Sequence, residues 1–250
     1  VRRALAASFV ALAASFVALA GSFVALAASF VALAGSFVAL AACGRAAPSE
    51  SPGLPAPPAV LVAEHVAQAP LVDGRLSEAA WLAAAATPRF VDAATGADEP
   101  PHTEARVLWD ERALYVGLYA GDVDLEPSDR MGVVLRAPGG RTTVVEADPT
   151  GRLLWHAPGG PRLPVPAGVR VAVDADGTIG RPDDDDEEWI VELALPWSAL
   201  GASGPCDVRA NFFRRDLPRG VPLRQLAWIA WRGRATGDLR ALGEVRRAPR

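Results

Sequence analysis

From Thr103 to Asp122 the chain reads TEARVLWDERALYVGLYAGD, and this order of apolar and polar residues leaves the backbone little choice. Ala105, Val107 and Trp109 alternate with Glu104, Arg106 and Asp110. Beyond Glu111 and Arg112, Leu114, Val116 and Leu118 alternate with Tyr115, Gly117 and Tyr119. A period of two sends successive side chains to opposite faces of a strand, so the stretch predicts a β-hairpin with a short polar loop at Asp110-Glu111-Arg112. Its Leu/Val face belongs to a core, and Tyr115 and Tyr119 share the other face.

Shorter runs of the same kind follow at regular spacing: Met131 to Arg136, Arg141 to Ala147, Arg152 to His156 and Val169 to Asp174. After an acidic run come Glu188 to Leu195, Asp207 to Phe213, Leu226 to Trp231 and Leu242 to Arg246. Turn formers such as Pro138-Gly139-Gly140, Pro149-Thr150-Gly151 and Asp176-Gly177 separate them. Many short strands without a long helical period predict an all-β fold, an antiparallel, jelly-roll-like β-sandwich over residues 60–250. One or two short helices are expected. One carries Trp81, with Ser77 as its N-cap, and the other is a single turn in LPWSALG, Leu195 to Gly201.

Ahead of the domain, a seven-residue unit, Ala-Leu-Ala-(Ala/Gly)-Ser-Phe-Val, starts at Ala4, Ala11, Ala18, Ala25 and Ala32 and breaks off after Ala39 at Cys43. A soluble coiled coil would carry charges flanking its seam, and none interrupts this run. One membrane span needs only about 20 apolar residues. Arg2 and Arg3, the apolar run and the small residues before Cys43 have the layout of an export signal. Leu40-Ala41-Ala42-Cys43 resembles a bacterial lipobox, in which the Cys is lipidated and becomes the first mature residue. Residues 1–42 are therefore expected to be a long apolar helical signal peptide, with an uncleaved anchor as the alternative. Residues 43–59, GRAAPSESPGLPAPPA after Cys43, form a Pro/Ala/Ser-rich spacer. On this reading the chain is exported to the cell envelope, at the periplasmic face or the outer surface, and held to a membrane through Cys43.

Composition narrows the classes further. A net charge of −4 gives no electrostatic footprint for nucleic acid. Its 25 basic residues are all Arg, as a GC-rich coding sequence produces. Only Cys43 and Cys206 exist, so no disulfide framework supports the domain.

The segments VDGRLSEAAW, TEARVLWDERALYVGLYAGD, EEWIVELALPWSALG and VRANFFRRD occur in this order over Val60 to Val245. Together they resemble the family 9 carbohydrate-binding modules, β-sandwiches found beside polysaccharide-degrading catalytic domains and as free-standing exported proteins. Within the matching segments, Trp81, Trp109, Trp189 and Trp197 read as core anchors. The resemblance implies a non-catalytic sugar-binding domain with polysaccharide or oligosaccharide as its partner, accessory to glycoside hydrolases. Members of that family hold a terminal sugar between two Trp side chains and place a carboxylate in a neighbouring strand. Here those positions fall on Glu126-Pro127-Ser128, on GRATGDLRALG and on Gly132. A sugar site would then be assembled from what remains: Tyr119, Glu146, Asn211, Arg214 and Trp231. Arg and Asn donate paired hydrogen bonds to vicinal hydroxyls while an aromatic face takes the C–H face of the ring. The alternative is that Arg214 or Arg215 pairs with an Asp and that Trp228 or Trp231 is core.

The acidic run Asp183 to Glu188 is a solvated loop or, through Asp184 and Asp186, a calcium site; no other cofactor is expected. Catalysis is not expected. No pair of carboxylates, His-Glu metal motif, Ser elbow or phosphate loop stands out. A haem-binding electron carrier would need an axial pair, and Met131 is the only Met while His65, His102 and His156 sit in unrelated contexts. The competing reading is a sandwich that has lost sugar binding and serves as an envelope-protein interaction module.

Overall fold

The computed structural model describes residues 59–181, 185–235 and 238–249. The expected signal segment, Cys43 and most of the spacer lie outside them. Among the described residues, no helix is long and apolar enough to cross a membrane.

Among the described residues there are thirteen strands and very little helix. In chain order they are β1 (Val60–His65), β2 (Val91–Asp92), β3 (Thr103–Trp109), β4 (Ala113–Gly121), β5 (Arg130–Arg136), β6 (Thr143–Ala147) and β7 (Leu153–His156). The rest are β8 (Arg162–Leu163), β9 (Arg170–Asp176), β10 (Glu188–Pro196), β11 (Val208–Asp216), β12 (Arg224–Ala227) and β13 (Gly243–Arg247). The one α-helix among the described residues, α1, is Ala79–Ala83, and Trp197–Leu200 forms the expected turn as a 3₁₀ helix. Ser77 does not cap α1: Glu78 occupies that position in extended backbone, and no side chain caps the helix.

The strands run in the order β8-β7-β6-β5-β11-β13-β1-β3-β4-β10-β9, a curled sheet whose two halves face each other as a sandwich. All pairings are antiparallel except those of β1. This strand lies parallel to β13 over Val60–Ala63 and then parallel to β3 at Glu64–His65, so it joins the two halves. The fold is thus mixed at one seam where the alternation predicted an antiparallel sheet throughout.

The hairpin lies where its pattern puts it, with Thr103 opposite Ala120 and Trp109 opposite Leu114. Its loop closes on Asp110. One carboxylate oxygen accepts the amides of Arg112 (2.7 Å) and Ala113 (2.8 Å), and the other accepts the Tyr115 hydroxyl at 2.8 Å. The Trp197 indole N–H adds a bond to the Asp110 carbonyl at 2.9 Å, tying the 3₁₀ turn to the hairpin.

Between the halves lies the main core. Val107, Val116, Leu118, Val191 and Leu193 come from one half, and Val133, Leu135, Val145, Phe212 and Val245 from the other. Trp109, Trp189 and Trp197 are buried in it as expected, and Trp81 is fully buried in a smaller cluster. Each outer face carries such a satellite. On the β5-β6-β11 face, Val134, Val144, Phe213 and Ala227 meet Trp231 and Leu242 from the closing segments. On the β3-β4-β10 face, Leu108, Tyr115 and Ala194 pack beneath Trp81.

A buried carboxylate fastens that second cover. Glu192 Oε2 accepts the amides of Asp73 (3.0 Å) and Gly74 (3.2 Å), and Oε1 accepts the Trp81 indole N–H at 3.1 Å. Burial outweighs these donors and pushes the Glu192 carboxyl up to about 7. Gly74 is required here: its φ is +89°, and a Cβ would stand 2.7 Å from the Asp174 amide nitrogen.

Candidate functional site

The outer face of the β5-β6-β11 half holds a groove of about 260 Å³ lined by Val144, Glu146, His156, Phe213, Arg215, Gln225 and Trp231, with Gly159 at its margin. Four strands and two loops converge on it. Glu146 comes from β6 and His156 from β7, whose register sets His156 opposite Val144. Phe213 and Arg215 come from β11, and Gln225 pairs directly with Arg215 across the β11–β12 ladder. Trp231 is carried by the segment after β12.

Glu146 is the chemical centre. Its side chain is 4% exposed, Arg215 bonds one carboxylate oxygen, and His156 Nε2 lies 3.6 Å from the other. His156 Nδ1 is 2.8 Å from the Ala157 carbonyl, which fixes the ring with Nε2 towards Glu146. The Arg215 guanidinium also lies over the Phe213 ring, 5.8 Å from its centre. Phe213 and Trp231 pack with ring centres 6.1 Å apart. Buried N–H groups of Trp231 (Nε1) and Arg215 (Nε) have no hydrogen-bond partner among the described residues. A neutralised carboxylate, a guanidinium, unmet donors and an aromatic wall are groups suited to vicinal hydroxyls on an apolar ring.

Gly132 has a physical reason in this arrangement. It pairs with Glu146 on one side and Phe213 on the other. A Cβ at 132 would come within 2.2 Å of the Val145 carbonyl oxygen and 2.8 Å of the Glu146 Cα. The bare backbone lets β5 and β6 close up, and the carboxylate of this rung stands on Glu146, one strand over from Gly132.

Of the residues singled out from the sequence, Glu146 and Trp231 meet in this groove. Asn211 lies under its edge, fully buried, with its amide spent on the chain itself. Nδ2 donates to the carbonyls of Ile229 (2.7 Å) and Ala241 (3.0 Å), and Oδ1 accepts the Ile229 amide at 3.0 Å. It ties down the segment that presents Trp231.

Arg214 faces inward, in step with Val208, Ala210 and Phe212 of the main core. It bonds the Gly121 carbonyl at 2.6 Å and Asp122 Oδ2 at 2.7 Å, and lies 3.4 Å from Asp216 Oδ1. Asp216 also pairs with Arg224 at 2.5 Å. Asp122, Asp129 and Asp216 bring carboxylate oxygens within 4.8 Å of one another, a spacing a divalent ion could bridge, but the two guanidinium groups supply positive charge there already. Burial raises the Asp122 carboxyl against the pull of Arg214, and raises Asp129 to about 6.

Tyr119 belongs to the opposite face of the sandwich, on β4. In the acidic run, Asp184 lies outside the described residues. Asp186 is buried, with Oδ2 accepting the Leu125 amide (2.7 Å) and Oδ1 the Thr178 amide (2.8 Å), so it fastens its own loop to the segment after β4. His156, Phe213 and Gln225 were not anticipated. For Phe213 the signal was present, because the period of two in ANFFRRD puts Asn211, Phe213 and Arg215 on one face and Arg214 on the other. His156 and Gln225 arrive only through the strand order.

The fold is similar to that of several solved proteins. The chain is similar to a family 9 module from Caldicellulosiruptor kristjanssonii in complex with cellotriose, with a TM-score of 0.59 and 14% identity, covering 77% of this chain and 95% of the other. The glucose complex of a family 9 module from that organism aligns with a TM-score of 0.57 and 14% identity, over 77% of this chain and 97% of the other. A proposed carbohydrate-binding protein from Bacteroides uniformis aligns with a TM-score of 0.57 and 13% identity, over 76% and 100%. No family model and no curated protein matches the sequence. At these identities the likeness establishes the fold and carries no site residue across.

Proposed function

We propose that residues 60–250 form a non-catalytic carbohydrate-binding domain that holds a polysaccharide or oligosaccharide at the Glu146–Arg215–Trp231 groove, as an accessory to extracellular polysaccharide breakdown. The observation that carries this reading is the neutralised Glu146 carboxylate beside unmet donors and an aromatic wall. Fold likeness to modules solved with cellotriose and glucose supports it. The test is retention of the full chain on insoluble polysaccharides, together with a glycan array. Native protein should be retained and Glu146→Gln and Arg215→Ala released; absence of retention by a folded native chain would overturn the reading.

A second reading is favoured by one specific observation. The segments that correspond to the family's two sugar-clasping Trp positions, Glu126-Pro127-Ser128 and Gly233 to Gly243, contain no aromatic residue. An envelope-protein interaction module would give no retention on any glycan and capture an envelope protein through this same face.

The proposal extends to location. Leu40-Ala41-Ala42-Cys43 supports export and a lipid anchor at Cys43, with the spacer holding the domain off a membrane. Cys43→Ser should abolish incorporation of a labelled fatty acid and move the protein out of the membrane fraction. Labelling that persists in this variant would refute the anchor.

A further inference from the structure

The outer face of the β3-β4-β10 half is only partly roofed by the segment that Glu192 anchors. Beside that roof lies a groove of about 570 Å³, roughly twice the size of the one around Glu146. Its floor is one cross-strand rung. Tyr119 stands opposite Glu104 on β3 and opposite Ile190 on β10, and Ile190 stands opposite Asp174 on β9. Leu76 and Leu82 form the wall from the roof side, and Leu82 is 69% exposed. The His102 ring flanks Tyr119 with centres 6.0 Å apart. A hydrogen bond to Glu188 ties the phenol and pushes it up to about 12, with burial adding to the effect.

Glu104, Arg106, Arg75 and Asp174 around this groove are matched internally, and Glu188 accepts the Tyr119 hydroxyl. Glu104 pairs with His102 and with Arg106, each at 3.0 Å, and Arg75 pairs with Asp174 at 3.3 Å. Arg106 is further held by the Trp81 carbonyl at 2.9 Å. A charged ligand would have to break these pairs to gain a partner. A neutral ligand with many hydroxyls and one apolar face meets no such cost: its C–H face lies on Tyr119 and Ile190, and its hydroxyls donate to the remaining lone pairs of Glu104, while the His102 ring is held by Arg89 and Glu104. The Glu146 groove has the same recipe of aromatic surface and neutralised carboxylate.

We propose that this face carries a second saccharide site centred on Tyr119, so that the domain grips glycan on two opposite faces and can bridge chains. The inference rests on the glycan-binding reading of the first groove, and the experiment separates the two. The full chain, in a detergent without sugar groups, is titrated calorimetrically with cellotriose, and its retention on insoluble cellulose is measured. The native protein should bind two cellotriose molecules. Tyr119→Ala should bind one, as should Leu82→Asp, whose exposed position leaves the core intact. Glu146→Gln should also bind one, and Glu146→Gln with Tyr119→Ala none. Linked sites reinforce each other, so either single-groove loss should weaken cellulose retention by about tenfold or more. One molecule per chain, unaffected by Tyr119→Ala and Leu82→Asp and lost in Glu146→Gln, overturns the second site and leaves the first. Loss through Tyr119→Ala alone, with Glu146→Gln silent, overturns the two-faced arrangement and removes the first groove. No binding by folded native protein overturns both.

Discussion

Replacing Arg214 by Met tests whether this residue organises the interior or reaches a ligand. The guanidinium is fully buried and holds the Asp122 carboxylate at 2.7 Å, the Gly121 carbonyl at 2.6 Å and Asp216 at 3.4 Å. Met keeps most of the aliphatic volume and removes the charge, leaving Asp122 unpaired and Asp216 with Arg224 alone. Breaking a buried ion pair from one side costs about 3–5 kcal/mol, because the remaining charge has neither partner nor water. For a domain of this size that corresponds to a fall in Tm of about 6–20 °C, at roughly 2–4 °C per kcal/mol. The loss should depend on pH. The Asp122 carboxyl is already raised by burial against the pull of Arg214, and Asp129 sits at about 6. Carboxyls raised in the folded state favour folding while protonated, and that contribution is lost as pH rises through their folded values. Without Arg214, Asp122 moves further up, so acidification should relieve the variant more than the native protein. Urea denaturation at pH 8 and pH 5 would measure this, with a loss of about 4 kcal/mol at pH 8 falling to about half at pH 5. A loss below about 1 kcal/mol, or one of equal size at both pH values, would refute the reasoning. Unchanged stability with lost glycan retention would place Arg214 at a ligand instead.

Gly132→Ala should destabilise by more than about 2 kcal/mol and release glycan as well, since a Cβ there forces β5 from β6 and displaces Glu146; normal retention would contradict the role given to that close approach. Native stability should fall between pH 5 and pH 8. Glu192 sits at about 7 in the fold against an ordinary 4.5, so its contribution is complete below about 4.5 and lost as pH rises through 7. Thermal melts of Glu192→Gln should show a shallower slope over this range, and an unchanged slope would discount Glu192. Asn211→Ala should cost about 2–4 kcal/mol by orphaning the Ile229 and Ala241 backbone groups, and should loosen Trp231, read as faster proteolysis of the segment after β12. Trp81→Phe should cost about 1–2 kcal/mol through the lost donor to Glu192, measured by chemical denaturation, and should leave the Glu146 groove's affinity unchanged.

Where the inward face of a strand is apolar at every second position, the period shows in the sequence. β3, β4 and β10 were legible for that reason even though Trp81 and its neighbours cover part of their outer face. The hairpin loop was legible too, because Asp110 is a residue whose side chain substitutes for missing backbone partners. β1 was not. VLVAEH follows a Pro/Ala-rich spacer, and its pairing with two distant strands leaves no local mark. β2 and β8 are two residues long and carry no period at all. The same division runs through the site. Glu146 and Trp231 could be picked from their residue types. The step from Arg214 to Arg215 needed strict use of the alternation, which sends neighbouring residues of one strand to opposite faces. His156 and Gln225 depend on which strands end up side by side, and no short stretch of sequence records that.

The parallel pairing of β1 with both β13 and β3 has a consequence for the order of assembly. The first strand of the domain is the clasp of the sandwich, and half of that clasp is made from the last strand, with Val60 beside Glu244 and Ala63 beside Arg247. A chain synthesised from its N-terminal end therefore presents β1 first and has to hold it open until about 180 further residues have followed. Only when β13 emerges can the two halves be buttoned together.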